Sequence, residues 1–146
     1  MAKSASATAS PFDYLDLLGI RAAHLRDLLR AIERGIPFDA IERLHRNTGL
    51  DIDMLATLIN VPRRTLTRRR QDGRFTSEES DRLVAAARLL SKALDLFAGN
   101  AGAARGWLLE PQVALGGAIP LDIARTETGA REVELLIDRL EQGIFL

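Results

Sequence analysis

The stretch IDMLATLINVPRRTLTRRR, residues 52–70, decides how the rest of the chain reads. Ile52, Leu55, Ala56 and Ile59 recur at steps of three and four, the period of a helix with one buried face. Ala56 is small where two helices must approach closely. Asn60 follows, and Asn enters the left-handed backbone region more readily than most residues that carry a side chain. Pro62 suits a first helical turn, where its missing N–H has no intrahelical partner to lose. Ile59 and Val61 bracket the turn and reach the core, and Leu66 holds the second helix onto it. This is the pattern of a helix-turn-helix.

The second helix of the pair is strongly cationic. Between Val61 and Phe75 stand six Arg and one acid, Asp72, a local net of +5. The whole chain carries 20 Lys+Arg and 20 Asp+Glu, which excludes a generally polycationic binder but leaves room for this local field. Arg offers a planar fork of donors that matches phosphate oxygens and guanine O6/N7. In a helix-turn-helix the N-terminal part of the second helix meets base edges. Arg63, Arg64, Thr65 and Arg68 are therefore the expected base readers. Arg69, Arg70 and Arg74 are expected as phosphate contacts or as side chains lying along the core edge. Arg69 stands where such helices usually bury an apolar residue. A solvated face or a surface for an acidic protein is the alternative, and the turn before the helix favours DNA.

Working outward, 146 residues suggest one compact domain or two small ones. Apolar residues make up 47% and charged residues 27%, a globular mixture. Leu and Ala dominate and no alternating strand pattern appears, so the expected class is all-α. Cys is absent, which excludes disulfide frameworks, thiolate zinc sites and thiol nucleophiles and fits a cytoplasmic location. No run reaches the roughly 18 apolar residues of a membrane helix. Residues 1–11 read as a mobile Ala/Ser-rich tail.

Residues 12–36 predict one amphipathic helix, with Leu15, Leu18, Ala22, Leu25, Leu29 and Ile32 in its stripe and Gly35 and Pro37 as stops. The stripe is too short for a coiled coil. It faces either the chain's own core or a second copy in a homodimer. Residues 37–99 hold the helix-turn-helix domain. In it Phe38, Ile41 and Leu44 face inward on a helix ending at Gly49. After the Asp72-Gly73 break, Thr76 and Glu79 form a capping box. It opens a long helix with Leu83, Ala87, Leu90, Leu94 and Phe97 on one face, closed at Gly99-Asn100. Residues 100–146 predict a short helix with Trp107 and Leu108, a loop from Gln112 to Asp122, and a last helix capped by Thr126 or Thr128. Val133, Leu136, Ile137 and Leu140 form the buried stripe of that last helix and Gly143 ends it. Trp107 is expected in the core, with Gly116-Gly117 as a tight turn beside it. No strand precedes these glycines and no Lys-Ser/Thr follows, so they do not read as a phosphate loop.

The only histidines, His24 and His45, lie outside any metal-ligand spacing. No nucleophile has a base in a recognisable motif. No enzymatic activity, cofactor or metal is expected.

The motifs carry a more specific resemblance. Thr48-Gly49-Leu50, Leu55 through Pro62, Arg64-Thr65-Leu66 and Glu79 through Leu83 resemble the helix-turn-helix of Xre-like antitoxins. Ala104 through Leu108, Leu115-Gly116-Gly117, Pro120-Leu121-Asp122, Thr126-Glu127, Gly129-Ala130 and Glu141 through Phe145 resemble the toxin-binding domain of the Xre/ParS/MbcA antitoxins. The resemblance runs from about residue 38 to the C-terminus. It implies a bacterial type II antitoxin. Its partner would be a RES-domain toxin that destroys NAD, held inactive by occlusion of its active-site entrance. It also implies a homodimer that represses its own operon on an inverted-repeat operator. A plain dimeric helix-turn-helix regulator without a toxin partner is the competing reading.

A physical expectation attaches to the C-terminal end. Glu110 to Leu146 carries seven acids and three Arg, a local net of −4. Glu134, Asp138 and Glu141 fall on one helical face. A pocket that binds an anionic dinucleotide is electropositive, so an acidic face complements it. The tail Gly143, Ile144, Phe145 and Leu146 would supply an apolar anchor. The competing reading is a solvated helix face with the tail folded back as a stop.

Overall fold

The computed structural model describes residues 12–143. The expectations for the tail 1–11 and for Ile144, Phe145 and Leu146 fall outside the described residues. The fold class is all-α, as expected. Apart from helices, the described residues form only two isolated β-bridges, Pro37 with Arg74 and Gln112 with Ala118. None of their helices is long and apolar enough to cross a membrane.

The single N-terminal helix expected over 12–36 is two pieces. Asp13–Leu18 is a 3-10 helix that ends at Gly19, where φ is 71° and the amide donates back to the carbonyl of Asp16. Helix α1 begins only at Leu25 and runs to Arg34. The break rotates the stripe. Leu15, Leu18 and Leu28 are buried, whereas Leu25 and Leu29 are 58% and 54% exposed. An apolar period read through a glycine thus mixed residues from two helices that point in different directions.

The remaining helices are α2 (Asp39–Thr48), α3 (Ile52–Leu58), α4 (Arg63–Asp72), α5 (Ser77–Leu96), α6 (Ala101–Leu109), α7 (Pro120–Ile123) and α8 (Glu127–Glu141). A 3-10 turn, Val113–Leu115, interrupts the C-terminal loop. The twenty-residue α5 is the scaffold: α1, α2, α6, α8 and the first 3-10 helix all pack on it. Its start is fixed as predicted. The Thr76 side chain accepts from the Glu79 amide, and the Glu79 carboxylate accepts from the Thr76 amide. Leu83, Ala87, Leu89, Leu90 and Ala93 are buried along it, each large side chain contributing about 1.5–3 kcal/mol when fully withdrawn from water.

A connection invisible in the sequence ties the chain after α1 to the chain after α4. The Phe75 amide donates to Ile36 O at 2.9 Å and the Phe38 amide to Gly73 O at 2.9 Å. The Phe38 and Phe75 rings stack with centroids 5.3 Å apart. The Ile36 amide donates to the buried Ser80 hydroxyl at 2.7 Å. These bonds satisfy backbone groups that would otherwise be orphaned in the core.

In the C-terminal part, Thr126 caps α8 by accepting from the Gly129 amide, as expected. Gly116 and Gly117 sit at φ 69° and 87°, and the tight-turn reading holds. Two expectations need correction. Trp107 is half-buried against Phe97 at the edge of the core, not inside it. The stretch 112–122 is less loop-like than expected, because Pro120 opens the one-turn helix α7. Gly129 lets α8 start hard against α7, since a Cβ there would collide with the carbonyl of Ile123.

Candidate functional site

The turn between α3 and α4 has the expected geometry. Asn60 lies at φ 57°, and the Val61 amide closes the turn on Ala56 O at 2.8 Å. Ala56, Ile59, Val61 and Leu66 are buried. Arg82 of α5 donates from Nε to Ile59 O at 2.6 Å, which pins the turn to the scaffold. Asn60 does more than the backbone asked of it: its Nδ2 donates to the carbonyl of Arg125 in the C-terminal domain at 3.3 Å.

Six arginines formed one cluster in the sequence, and the structure separates them. Arg64 and Arg68 are exposed and form no ion pair among the described residues. Their spacing of four puts them on one face of α4. Thr67 and Gln71 are exposed on that same face. Those two were missed in the sequence, although the 64, 67, 68, 71 spacing was there to find them. Arg63 pairs with Asp53 at 2.8 Å, but both side chains are well exposed, so the pair holds it weakly. Thr65 is half-buried rather than presented.

Arg69 lies along the core edge, whereas Arg70 and Arg74 are exposed and each makes one kind of internal contact. Arg69 donates from Nε and Nη2 to the two Glu79 oxygens at 2.7 and 3.0 Å, and from Nη1 to Asp72 at 3.3 Å. Its side chain is 15% exposed and that of Glu79 is 9%. This is why a cation stands where the motif normally buries an apolar residue. Arg70 lies 5.1 Å over the Phe38 ring, a cation–π contact. Arg74 donates to the carbonyls of Arg34 and Gly35.

The Arg69–Glu79 pair is the point where the domain's electrostatics are most perturbed. Burial alone pushes the Glu79 carboxyl up. The bonds from Arg69 and from the Thr76 backbone outweigh it and hold the carboxyl below its ordinary range. The hydrogen bond to Glu79, helped by the one to Asp72, raises Arg69 against its own desolvation.

The acidic face expected on α8 is divided. Glu134 pairs with Arg88 at 3.2 Å and Asp138 with Lys92 at 2.8 Å, both across to α5. These carboxylates help clamp α8 to the scaffold. Glu141 is exposed and Gly143 turns at φ 76° just beyond it. A groove between α5 and α8 adds Arg82, Arg125, Arg131 and the exposed Leu135 to this end of the molecule.

Comparison with known proteins matches both halves. Residues 27–88 match the antitoxin Xre-like helix-turn-helix domain. Residues 92–143 match the antitoxin Xre/MbcA/ParS C-terminal toxin-binding domain. A helix-turn-helix joined through a shared helix to a toxin-binding domain defines the antitoxin class. An Antitoxin Xre of Yersinia enterocolitica is 40% identical over 129 residues, 88% of this chain and 87% of its own length. An Antitoxin Xre of Photorhabdus laumondii is 30% identical over 83% of this chain and 80% of its own. A protein of Sphingobium named Prs ADP-ribosylating antitoxin is 24% identical over 92% and 89%. The chain belongs to the Xre family of antitoxins.

Proposed function

We propose that this antitoxin binds a NAD-degrading RES-type toxin through its C-terminal domain. In this reading it also represses its own operon as a homodimer on an inverted repeat. The observation that carries the reading is the order of two chemically distinct parts on one scaffold. Exposed Arg64 and Arg68 stand on a recognition helix. A toxin-binding domain follows it and ends near the exposed Glu141. Arg63, Arg64 and Arg68, joined by Thr67 and Gln71, face DNA. Glu141, Gly143 and the following Ile144, Phe145 and Leu146 enter the mouth of the toxin, with Glu134 and Asp138 holding α8 in place behind them.

The test is coexpression with a RES-domain toxin, reading growth and cellular NAD. Full rescue by the intact chain and loss of rescue on deleting residues 143–146 is the expected result. Undiminished rescue by the truncated chain refutes the role of the tail. The name of the Sphingobium relative favours a second reading. In that case the toxin transfers ADP-ribose to a protein, and labelled NAD leaves radioactivity on a protein band instead of in free products.

A further inference from the structure

Helix α1 carries an apolar face that the described residues leave largely uncovered. Leu25 and Leu29 are 58% and 54% exposed, one turn apart. Ile32 is half-buried and continues the line. At about 100° per residue the three lie within an arc of about 60°. On one flank of this arc stand Arg26 and Glu33, both exposed and both without an ion pair among the described residues. Arg30 turns away and lines a neighbouring groove with Arg34 and Arg74.

The geometry points to a two-fold seam in which α1 packs antiparallel against α1 of a second copy of this chain. In antiparallel pairing, like flanks meet. Leu29 then lies at the axis, Leu25 meets Ile32 of the second copy, and Arg26 meets Glu33 of the second copy. The symmetry makes two such ion pairs. Parallel pairing would set the charged flank of one helix against the apolar flank of the other and leave both charges unmatched. The sequence is therefore self-complementary in one orientation only, which selects a second copy over an unrelated partner. A ten-residue helix is about 15 Å long, so the seam buries well under the roughly 1,200 Å² of a tight complex. A weak dimer, consolidated when both halves hold one DNA molecule, is the expected outcome. This deepens the proposed dimer on an inverted repeat and rests on that reading.

Sedimentation equilibrium of the full chain, without DNA or toxin, tests the seam separately from either binding activity. The wild type is expected to dimerise in the micromolar range. Leu29→Asp should weaken association at least tenfold while the far-ultraviolet circular dichroism stays unchanged, because the side chain is more than half exposed. Arg26→Glu and Glu33→Arg should each weaken it severalfold, and the double reversal should recover most of the loss. A wild type that stays monomeric at 100 times the concentration used for operator binding, roughly, overturns the seam. So does a Leu29→Asp dimer of wild-type strength, or single reversals that the double variant fails to rescue. Operator binding that fails while the dimer persists would sink the proposed function and leave the seam standing.

Discussion

Replacing Arg69 by Met should damage the fold and spare DNA affinity, although Arg69 sits in the middle of the arginine run. The guanidinium makes two short bonds to Glu79 and one longer bond to Asp72. Removing it strands a carboxylate that is 9% exposed. Breaking a fully buried pair costs about 3–5 kcal/mol. The Thr76 amide still serves one Glu79 oxygen, and residual exposure lets water in, so about 2–3 kcal/mol is the expected loss. The assay is urea denaturation, with the midpoint falling at constant slope. Adding Glu79→Gln to Arg69→Met should recover about half of the loss, since the stranded charge is gone. The pH dependence gives a second reading. In the wild type the Glu79 carboxyl lies below its ordinary range. The unfolded state therefore takes up its proton first as pH falls. The stability due to this group is fully present above the ordinary carboxyl value of about 4.3 and is lost below it. In Arg69→Met the guanidinium no longer opposes burial and only the Thr76 bonds hold the carboxyl down, so this pH dependence weakens. The gap between the two proteins should narrow steadily below about pH 5. A loss under about 0.5 kcal/mol, or a gap that does not move with pH, would refute this assignment.

The mirror experiment is Arg64→Ala with Arg68→Ala. These exposed side chains take part in no side-chain hydrogen bond or ion pair among the described residues, so stability should hold within about 0.5 kcal/mol. Sequence preference in a mobility-shift titration should fall by about 1–3 kcal/mol per lost bidentate contact. Asn60→Gly keeps the positive φ and removes only the bond to Arg125, whereas Asn60→Ala removes both. Calorimetry should find Ala the more destabilising of the two by about 1 kcal/mol. Gly129→Ala drives a methyl group into the Ile123 carbonyl and should lower the melting temperature by several degrees, a cost of about 2 kcal/mol or more. Coexpressed toxin should then be neutralised less well, which a growth assay reads.

What the sequence disclosed was whatever is decided over a few neighbouring residues. Asn60 before Val61-Pro62 announced the left-handed turn, and Thr76 with Glu79 announced the start of α5, because caps and turns are closed by bonds three or four positions away. The two paired Gly in the 112–118 turn were equally legible. Gly19 was passed over, because the apolar rhythm continued across it and nothing local said the helix would restart in another direction. The roles of Arg69 and Arg74 were hidden for a different reason. Charge counting sees six equal cations, but Glu79 is ten residues from Arg69, and the Gly35 carbonyl is thirty-nine from Arg74. The partners of the α8 acids were hidden in the same way, with Arg88 and Lys92 forty-six residues distant. Composition gives the sign of a surface only after the internal pairs have been subtracted.

The border between the two matched regions, residues 88–92, falls inside α5, not in a linker. No cut there can yield two intact pieces. Either fragment would carry half a helix and bare the leucines that the other half covers. A protease that nicks this stretch would disrupt the helix-turn-helix region and the toxin-binding domain together, so on the proposed function a single cut would release operator and toxin at once.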